Sequence, residues 1–278
     1  PTPSSAASDV YKRQKLSDTY LLLIVLYYHL IDKFKEIYMT NNKPNFVLVH
    51  GAWHGGWIWK EVADLLMYQG YNVTCPTQTG LGERKHLLSS EITLDTYIDD
   101  IINHILLEDL QNIVLVGHSF AGSIISGVAD RLKERINRLV YFDAMILSSG
   151  QSPFDIAPKE IVKERTALAE KSEGKLSIPP PSPEAFGVFD IRKSLILASK
   201  LTPHPVSTFK SKLNLENEIG NGLSVSYIFC TDPVYQSLES SRVSVRKMNW
   251  PIFELKAGHN AMFTHPKETL NLLMKICN

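Results

Sequence analysis

The sequence predicts an α/β protein: a mainly parallel sheet with helices on both faces, and a lid inserted between two of its strands. Three observations predict it. Short continuous apolar runs such as Phe46-Val47-Leu48-Val49 and Ile113-Val114-Leu115-Val116 lack the alternation of a half-exposed strand, so they read as strands covered on both faces. Stretches with helical spacing lie between these runs, and such alternation implies parallel pairing through right-handed crossovers. From about Ser148 to Leu215 the alternation stops, and a segment of that size is more than a connector.

Residues 1–38 stand apart. Pro1 to Gln14 is small, polar and aperiodic, and Tyr20 to Ile31 is apolar over only twelve residues. That is short of the ~20 needed to span a bilayer. The segment reads as a non-native or dispensable extension, with an extra N-terminal helix as the alternative and Met39 as the natural start of a domain over 39–278.

From there the elements follow in order. The first strand, Phe46 to Val49, ends in the loop His50-Gly51-Ala52-Trp53-His54-Gly55-Gly56-Trp57, and helical spacing then continues until Gly70, a C-cap. Tyr71 to Cys75 reads as a second strand. Thr93 caps a helix whose apolar face is Leu94, Tyr97, Ile98, Ile101, Ile102 and Ile105. Ile113 to Val116 is the next strand, Ala121 to Leu132 a helix, and Leu139 to Phe142 a strand ending at Asp143. The insertion holds helical pieces (Lys159 to Glu170), a Pro-rich turn and no clear strand. Val225 to Phe229 and Ile252 to Leu255 complete the sheet, and Pro266 to Ile276 is the closing helix.

Bulk composition narrows the function. With 278 residues, 44% hydrophobic, 29 basic and 29 acidic side chains, the chain has ample core and no net field to gather nucleic acid or anionic membrane. Cys75, Cys230 and Cys277 are widely spaced and odd in number, which fits neither a disulfide framework nor a zinc ligand set. This points to a reducing, cytoplasmic setting.

The chemistry gathers at Val116-Gly117-His118-Ser119-Phe120-Ala121-Gly122. A strand stops, a serine follows between small residues, and a helix begins at once, the layout of a strained turn that presents one hydroxyl. Relative to G-x-S-x-G, the last position is Ala121, with Gly122 after it. A serine hydroxyl needs a base in hydrogen-bond reach, and the imidazole in turn needs a carboxylate to hold its tautomer. The chain order supplies Ser119, then an acid, then His259. Two strand ends offer an acid that could reach His259: Asp143 is preferred, and Asp232, whose place in Cys230-Thr231-Asp232-Pro233 leaves only a short loop after its strand, is the alternative. An oxyanion hole needs two backbone N–H groups, assigned to Phe120, which follows the nucleophile, and Ala52, in the Gly-rich loop. Trp53, His54 and His118 are nominated for the substrate pocket, with His118 a packing residue rather than a catalyst. His86 and His204 read as solvated loop residues, and Glu83-Arg84 as a surface charge pair.

F-V-L-V-H-G-A-W-H-G-G-W (46–57), G-H-S-F-A-G (117–122) and A-G-H-N-A-M (257–262) together resemble the α/β-hydrolase superfamily. Within it they are most similar to the plant methylesterase and hydroxynitrile lyase-like group and its bacterial relatives, over roughly Phe46 to Cys277. The resemblance implies Ser119 as nucleophile, His259 as base, Ala52 and Phe120 as oxyanion hole, and no metal or organic cofactor. It implies a serine hydrolase acting on a small carboxylic ester. A hydroxynitrile lyase of the same fold is an alternative, although its site resembles one with threonine and lysine where this chain has Gly51 and Asn260. A hydrolase-like small-molecule receptor is another. Thioesterase and cofactor-free haloperoxidase activities stay open, while the serine argues against the aspartate-nucleophile dehalogenases and epoxide hydrolases. The expected partner is a small ester, with no nucleic acid and no membrane span.

Overall fold

The computed structural model describes residues 20, 21, 23–31, 33 and 43–277. The chain divides into two compact units, residues 1–43 and 44–278. In the first, the described residues between 20 and 33 are helical, and Tyr20, Leu21, Leu23, Tyr27 and Leu30 among them are exposed. Met39 and most of the stretch expected to be dispensable lie outside the described residues. Among the described residues no helix is long and apolar enough to cross a membrane.

The second unit is built on six parallel strands. In chain order the elements are β1 (Asn45–Val49), α1 (Lys60–Tyr68), β2 (Val73–Thr74), α2 (Leu94–Leu107), β3 (Ile113–His118), α3 (Ala121–Arg131) and β4 (Ile136–Phe142). The segment 148–215 then carries α4 (Pro153–Ile156), α5 (Lys159–Glu170), β5 (Ser177–Ile178), α6 (Ile191–Lys200), β6 (His204–Pro205) and α7 (Val206–Lys210). The chain closes with β7 (Ser224–Cys230), α8 (Glu239–Arg246), β8 (Ile252–Leu255), α9 (Ala261–Thr264) and α10 (Pro266–Cys277). The sheet order is β2-β1-β3-β4-β7-β8.

The strands lie where their apolar runs place them, and β3 is buried at all six residues. Registers Val49↔Gly117, His118↔Phe142 and Phe142↔Ile228 bring the carboxyl ends of the four central strands level. Whatever follows those ends therefore meets along one edge. The cap expected at Thr93 forms reciprocally: Thr93 Oγ1 accepts from Thr96 N at 3.4 Å, and Thr96 Oγ1 accepts from Thr93 N at 3.1 Å. On α2 the expected face is buried, with Ile102 partly so.

Three expectations are corrected. The second strand is only Val73–Thr74, at the edge of the sheet, with Asn72 O beside it accepting from Phe46 N of β1 (2.8 Å). The segment 148–215 does hold strand, an antiparallel pair in which Ile178 faces His204. It is two residues long on each side, too short to register as a pattern in sequence. Arg84 does not pair with its neighbour Glu83. It donates to Thr77 O (2.9 Å) and Thr79 Oγ1 (2.8 Å) and lies 3.4 Å from Asp100, tying the loop after β2 to α2.

Candidate active site

The turn after β3 is tight enough to need particular residues. Ser119 sits at φ 56, a left-handed conformation that costs a non-glycine residue on the order of 1–3 kcal/mol. Its carbonyl accepts from Gly122 N (3.1 Å) and Met145 N (2.8 Å), which hold the turn against the β4 end. A Cβ on Gly122 would stand 2.1 Å from Met145 O, whereas Ala121 is buried with its methyl accommodated. The strict requirement for glycine therefore falls one position later than in G-x-S-x-G. Asp143, at φ 41, makes the equivalent turn after β4, and Trp53, at φ 66, the one after β1.

These turns bring together Ser119, His259 and Asp143. Ser119 Oγ lies 2.9 Å from His259 Nε2, and His259 Nδ1 lies 2.7 Å from Asp143 Oδ2. The partners set the tautomer: Nδ1 donates to the carboxylate, which leaves Nε2 to accept from the hydroxyl. Asp143 and His259 are buried, and Ser119 keeps 9% exposure. Asp232 is exposed and its backbone N–H donates to Ala257 O (3.1 Å), away from the imidazole contacts. Of the two carboxylates nominated from sequence, only Asp143 bonds His259.

The amides of Ala52 and Phe120 have no hydrogen-bond partner among the described residues, and both residues line the same chamber as Ser119. Gly51 lies against the nucleophile, where an added Cβ would come 2.7 Å from Ser119 Cβ. The imidazole of His259 is held between rings, with Tyr235 stacked on it at 4.1 Å and 17° and His118 at 4.5 Å. Gly258 and Gly187 touch backbone to backbone: a Cβ on either would lie 2.7 Å from the other's Cα. That contact seats the histidine loop against the inserted segment.

The nominated pocket residues divide. Trp53 lines the chamber. His54 and His118 do not; they are buried behind it. His54 Nδ1 donates to Ala52 O (2.6 Å) and its Nε2 accepts from Asn260 Nδ2 (3.0 Å). His118 Nε2 donates to His259 O (3.0 Å). Burial lowers the pKa of His54 to about 3 and that of His118 well below the usual range, so both stay neutral. His50, beneath the first loop, is likewise pushed down to about 4 by burial.

His204 is the clearest correction. It is fully buried, and burial drives its pKa well below the ordinary value. Its Nδ1 accepts from Trp53 N (3.3 Å), and its Nε2 donates to Thr208 Oγ1 (2.8 Å). The β5–β6 pairing carries it into the core. Trp53 completes the latch, donating from Nε1 to Ile178 O (3.0 Å) and accepting from Thr202 N (2.9 Å).

Three further side chains, those of Arg242, Tyr235 and Arg165, belong to the site. Arg242, on α8 and 2% exposed, places Nη2 2.6 Å from Asp143 Oδ1, under the carboxylate that faces His259. Cys230 N donates to the same oxygen at 3.3 Å. Tyr235 stacks on the imidazole, and Arg165 of α5 lines the chamber over Ser119. No local signal separates them from ordinary surface residues of a helix and a loop.

Residues 46–272 match the alpha/beta hydrolase family over most of the chain. The chain belongs to that family. Among similar proteins is a carbendazim hydrolyzing esterase of Nocardioides sp. (strain SG-4G), 34% identical over 236 residues, covering 81% of this chain and 96% of the relative. A putative chloroplastic methylesterase 14 of Arabidopsis thaliana is 28% identical over 251 residues, covering 83% and 71%. Among solved structures, an extracellular α/β-hydrolase from a Paenibacillus species superposes with TM-score 0.76 at 28% identity, covering 84% of this chain and 99% of the other. That protein is described as sharing structural and functional homology with tobacco salicylic acid binding protein 2.

Proposed function

We propose that the chain is a serine esterase that cleaves a small carboxylic ester through an acyl-enzyme. The observation that carries the reading is the unbroken relay Ser119–His259–Asp143 at 2.9 and 2.7 Å, with Ser119 the member left open to the chamber. Relatives described as esterases support the same chemistry.

The reaction runs in two halves. Ser119 Oγ attacks the ester carbonyl carbon while His259 Nε2 takes the hydroxyl proton, and Asp143 stabilises the imidazolium that forms. The carbonyl oxygen becomes an oxyanion, received by the amides of Ala52 and Phe120. Collapse breaks the bond to the alcohol, which leaves with the proton from His259. Water then attacks the acyl-enzyme with His259 again as base, and the acid departs as Ser119 regains its proton. Arg242 and Cys230 N occupy the second oxygen of Asp143, so the carboxylate is held in one orientation.

The segment 148–215 serves as a lid whose residues choose the ester. Supporting this, it contributes Arg165 and Phe209 to the chamber and is latched to Trp53. A hydroxynitrile lyase fits less well: a threonine at 51 would press its Cβ to 2.7 Å from Ser119 Cβ, and Asn260 is buried against His54. We place the protein in the cytoplasm on the strength of three unpaired cysteines; the address of a relative decides little, since one is chloroplastic and a structural neighbour extracellular.

Rapid-mixing hydrolysis of 4-nitrophenyl acetate tests the proposal. The expected result is a burst of nitrophenol approaching one equivalent per chain, followed by slower turnover, both abolished in Ser119→Ala. Tight binding of small esters without any burst or turnover would instead favour a receptor.

A further inference from the structure

The only charged side chain lining the chamber over Ser119, among the described residues, is Arg165. Its guanidinium lies 5.1 Å from the ring centres of both Trp53 and Phe209, packed on aromatic faces. It forms no ion pair among the described residues, and its one hydrogen bond there is a long one, 3.5 Å to Tyr235 Oη. A guanidinium carries five donors, so most of them have no partner within the described chain. Arg242 is the contrast, since its charge is met by Asp143.

The position matters as much as the charge. The chamber over the serine has a volume of about 20 Å³, room for one water molecule. Beside it lies a second cavity of about 230 Å³ reaching under α5 and the Pro-rich turn. Trp53, Arg165, Tyr235 and Ser237 line both, so they form the wall between them. Glu164 lines only the outer cavity. An ester at Ser119 must reach past this wall, and the group it meets there is a half-buried cation stacked for planar, two-pronged recognition.

Building on the esterase reading, we infer that Arg165 is the specificity residue of the site and that the substrate is an ester carrying a carboxylate in one of its halves. The carboxylate supplies the counter-charge that the fold withholds from Arg165. The two aromatic rings, each 5.1 Å from the guanidinium carbon, hold the cation in place, and its N–H fork offers two donors to a bidentate partner. A neutral ester of equal size offers the guanidinium nothing in exchange for the water it loses.

The test uses matched esters on the full chain, with Ser119→Ala as the blank for spontaneous hydrolysis. For the acid half, mono-4-nitrophenyl glutarate is compared with 4-nitrophenyl pentanoate; for the alcohol half, acetoxyacetate is compared with ethyl acetate. The expected result is a kcat/KM preference of about ten-fold or more for the anionic member of at least one pair. Arg165→Met should bring that ratio to about one, and Arg165→Lys, which keeps the charge but loses the fork, should hold it in between. Melting temperatures of the two variants show that each is folded. A ratio near one in both pairs for the unaltered protein overturns the anion assignment alone, as does a preference that survives Arg165→Met. Absence of turnover on all four esters, with no fluorophosphonate adduct on Ser119, removes the esterase reading and this inference together.

Discussion

The floor and the roof of the site are built by different means. The floor consists of turns after β1, β3 and β4 and the loop after β8, and its side chains are held by backbone. Ser119 and Asp143 sit in left-handed turns, Gly51 and Gly122 admit no Cβ, and Asp143 is bonded on both oxygens. The roof, segment 148–215, is seated on the histidine loop by backbone, with Gly187 against Gly258 and Asn260 N donating to Phe186 O (3.1 Å), but over Ser119 it presents side chains, Arg165 and Phe209 packed on Trp53. Backbone contacts fix atoms to tenths of an ångström, while stacked side chains have rotamers to spare. In keeping with the proposed function, we assign rate to the floor and choice of substrate to the roof.

The largest loss is expected at the nucleophile. Ser119→Ala should lower kcat by about 10⁵-fold or more on every ester, leaving the melting temperature within a degree or two. Next comes the acid: Asp143→Asn should cost about 10⁴-fold in kcat by favouring the wrong imidazole tautomer, while Asp232→Asn stays within a small factor. Equal losses in the two variants would show that Asp143 is not the partner the relay needs.

Arg242 sharpens the same contrast from below. Arg242→Met leaves one oxygen of a buried carboxylate with only the 3.3 Å amide, and breaking a buried pair costs about 3–5 kcal/mol of stability. At temperatures where the variant is folded, kcat should fall about ten-fold or more with KM little changed, and Arg242→Lys should recover part of it. A change confined to KM would place Arg242 outside the relay.

A smaller effect concerns pH. His50 and His54 have folded-state values of about 4 and 3, against ~6.5 in an unfolded chain. A depressed value means the unfolded chain binds the extra proton. Stability is therefore full above about pH 6.5 and falls as pH drops toward 4, by up to ~1.4 kcal/mol per pH unit for each histidine. Urea unfolding at pH 7.5 and 5.0 measures this, and a flat profile would contradict the neutral burial of these rings. At the roof, Phe209→Ala should change the ranking of esters by a factor of about three to ten while sparing the burst that reports acylation.

How much of this was legible in the sequence follows the same division. The strands were readable because burial on both faces writes an unbroken apolar run, as in β3. Ser119 and His259 were readable because a strained turn demands small neighbours at fixed offsets. The acid can be narrowed to Asp143 or Asp232, since each closely follows a strand, but only register and the path of β7 bring Asp143 to the imidazole. His204 looks like a loop residue in sequence because its burial depends on a pairing two residues long, between segments 26 positions apart at Ile178 and His204. Arg242 and Arg165 left no trace at all. An arginine on an amphipathic helix looks the same whether it faces water, a buried carboxylate or a substrate chamber.

The central claim is that Ser119, served by His259 and Asp143, is the nucleophile. Treating the full chain with a fluorophosphonate and mapping the adduct by peptide mass spectrometry tests it most directly. One adduct per chain is expected on Ser119, formed in step with loss of ester turnover and forming far more slowly in Asp143→Asn. An adduct on another serine, or undiminished turnover by protein fully modified at Ser119, would contradict it.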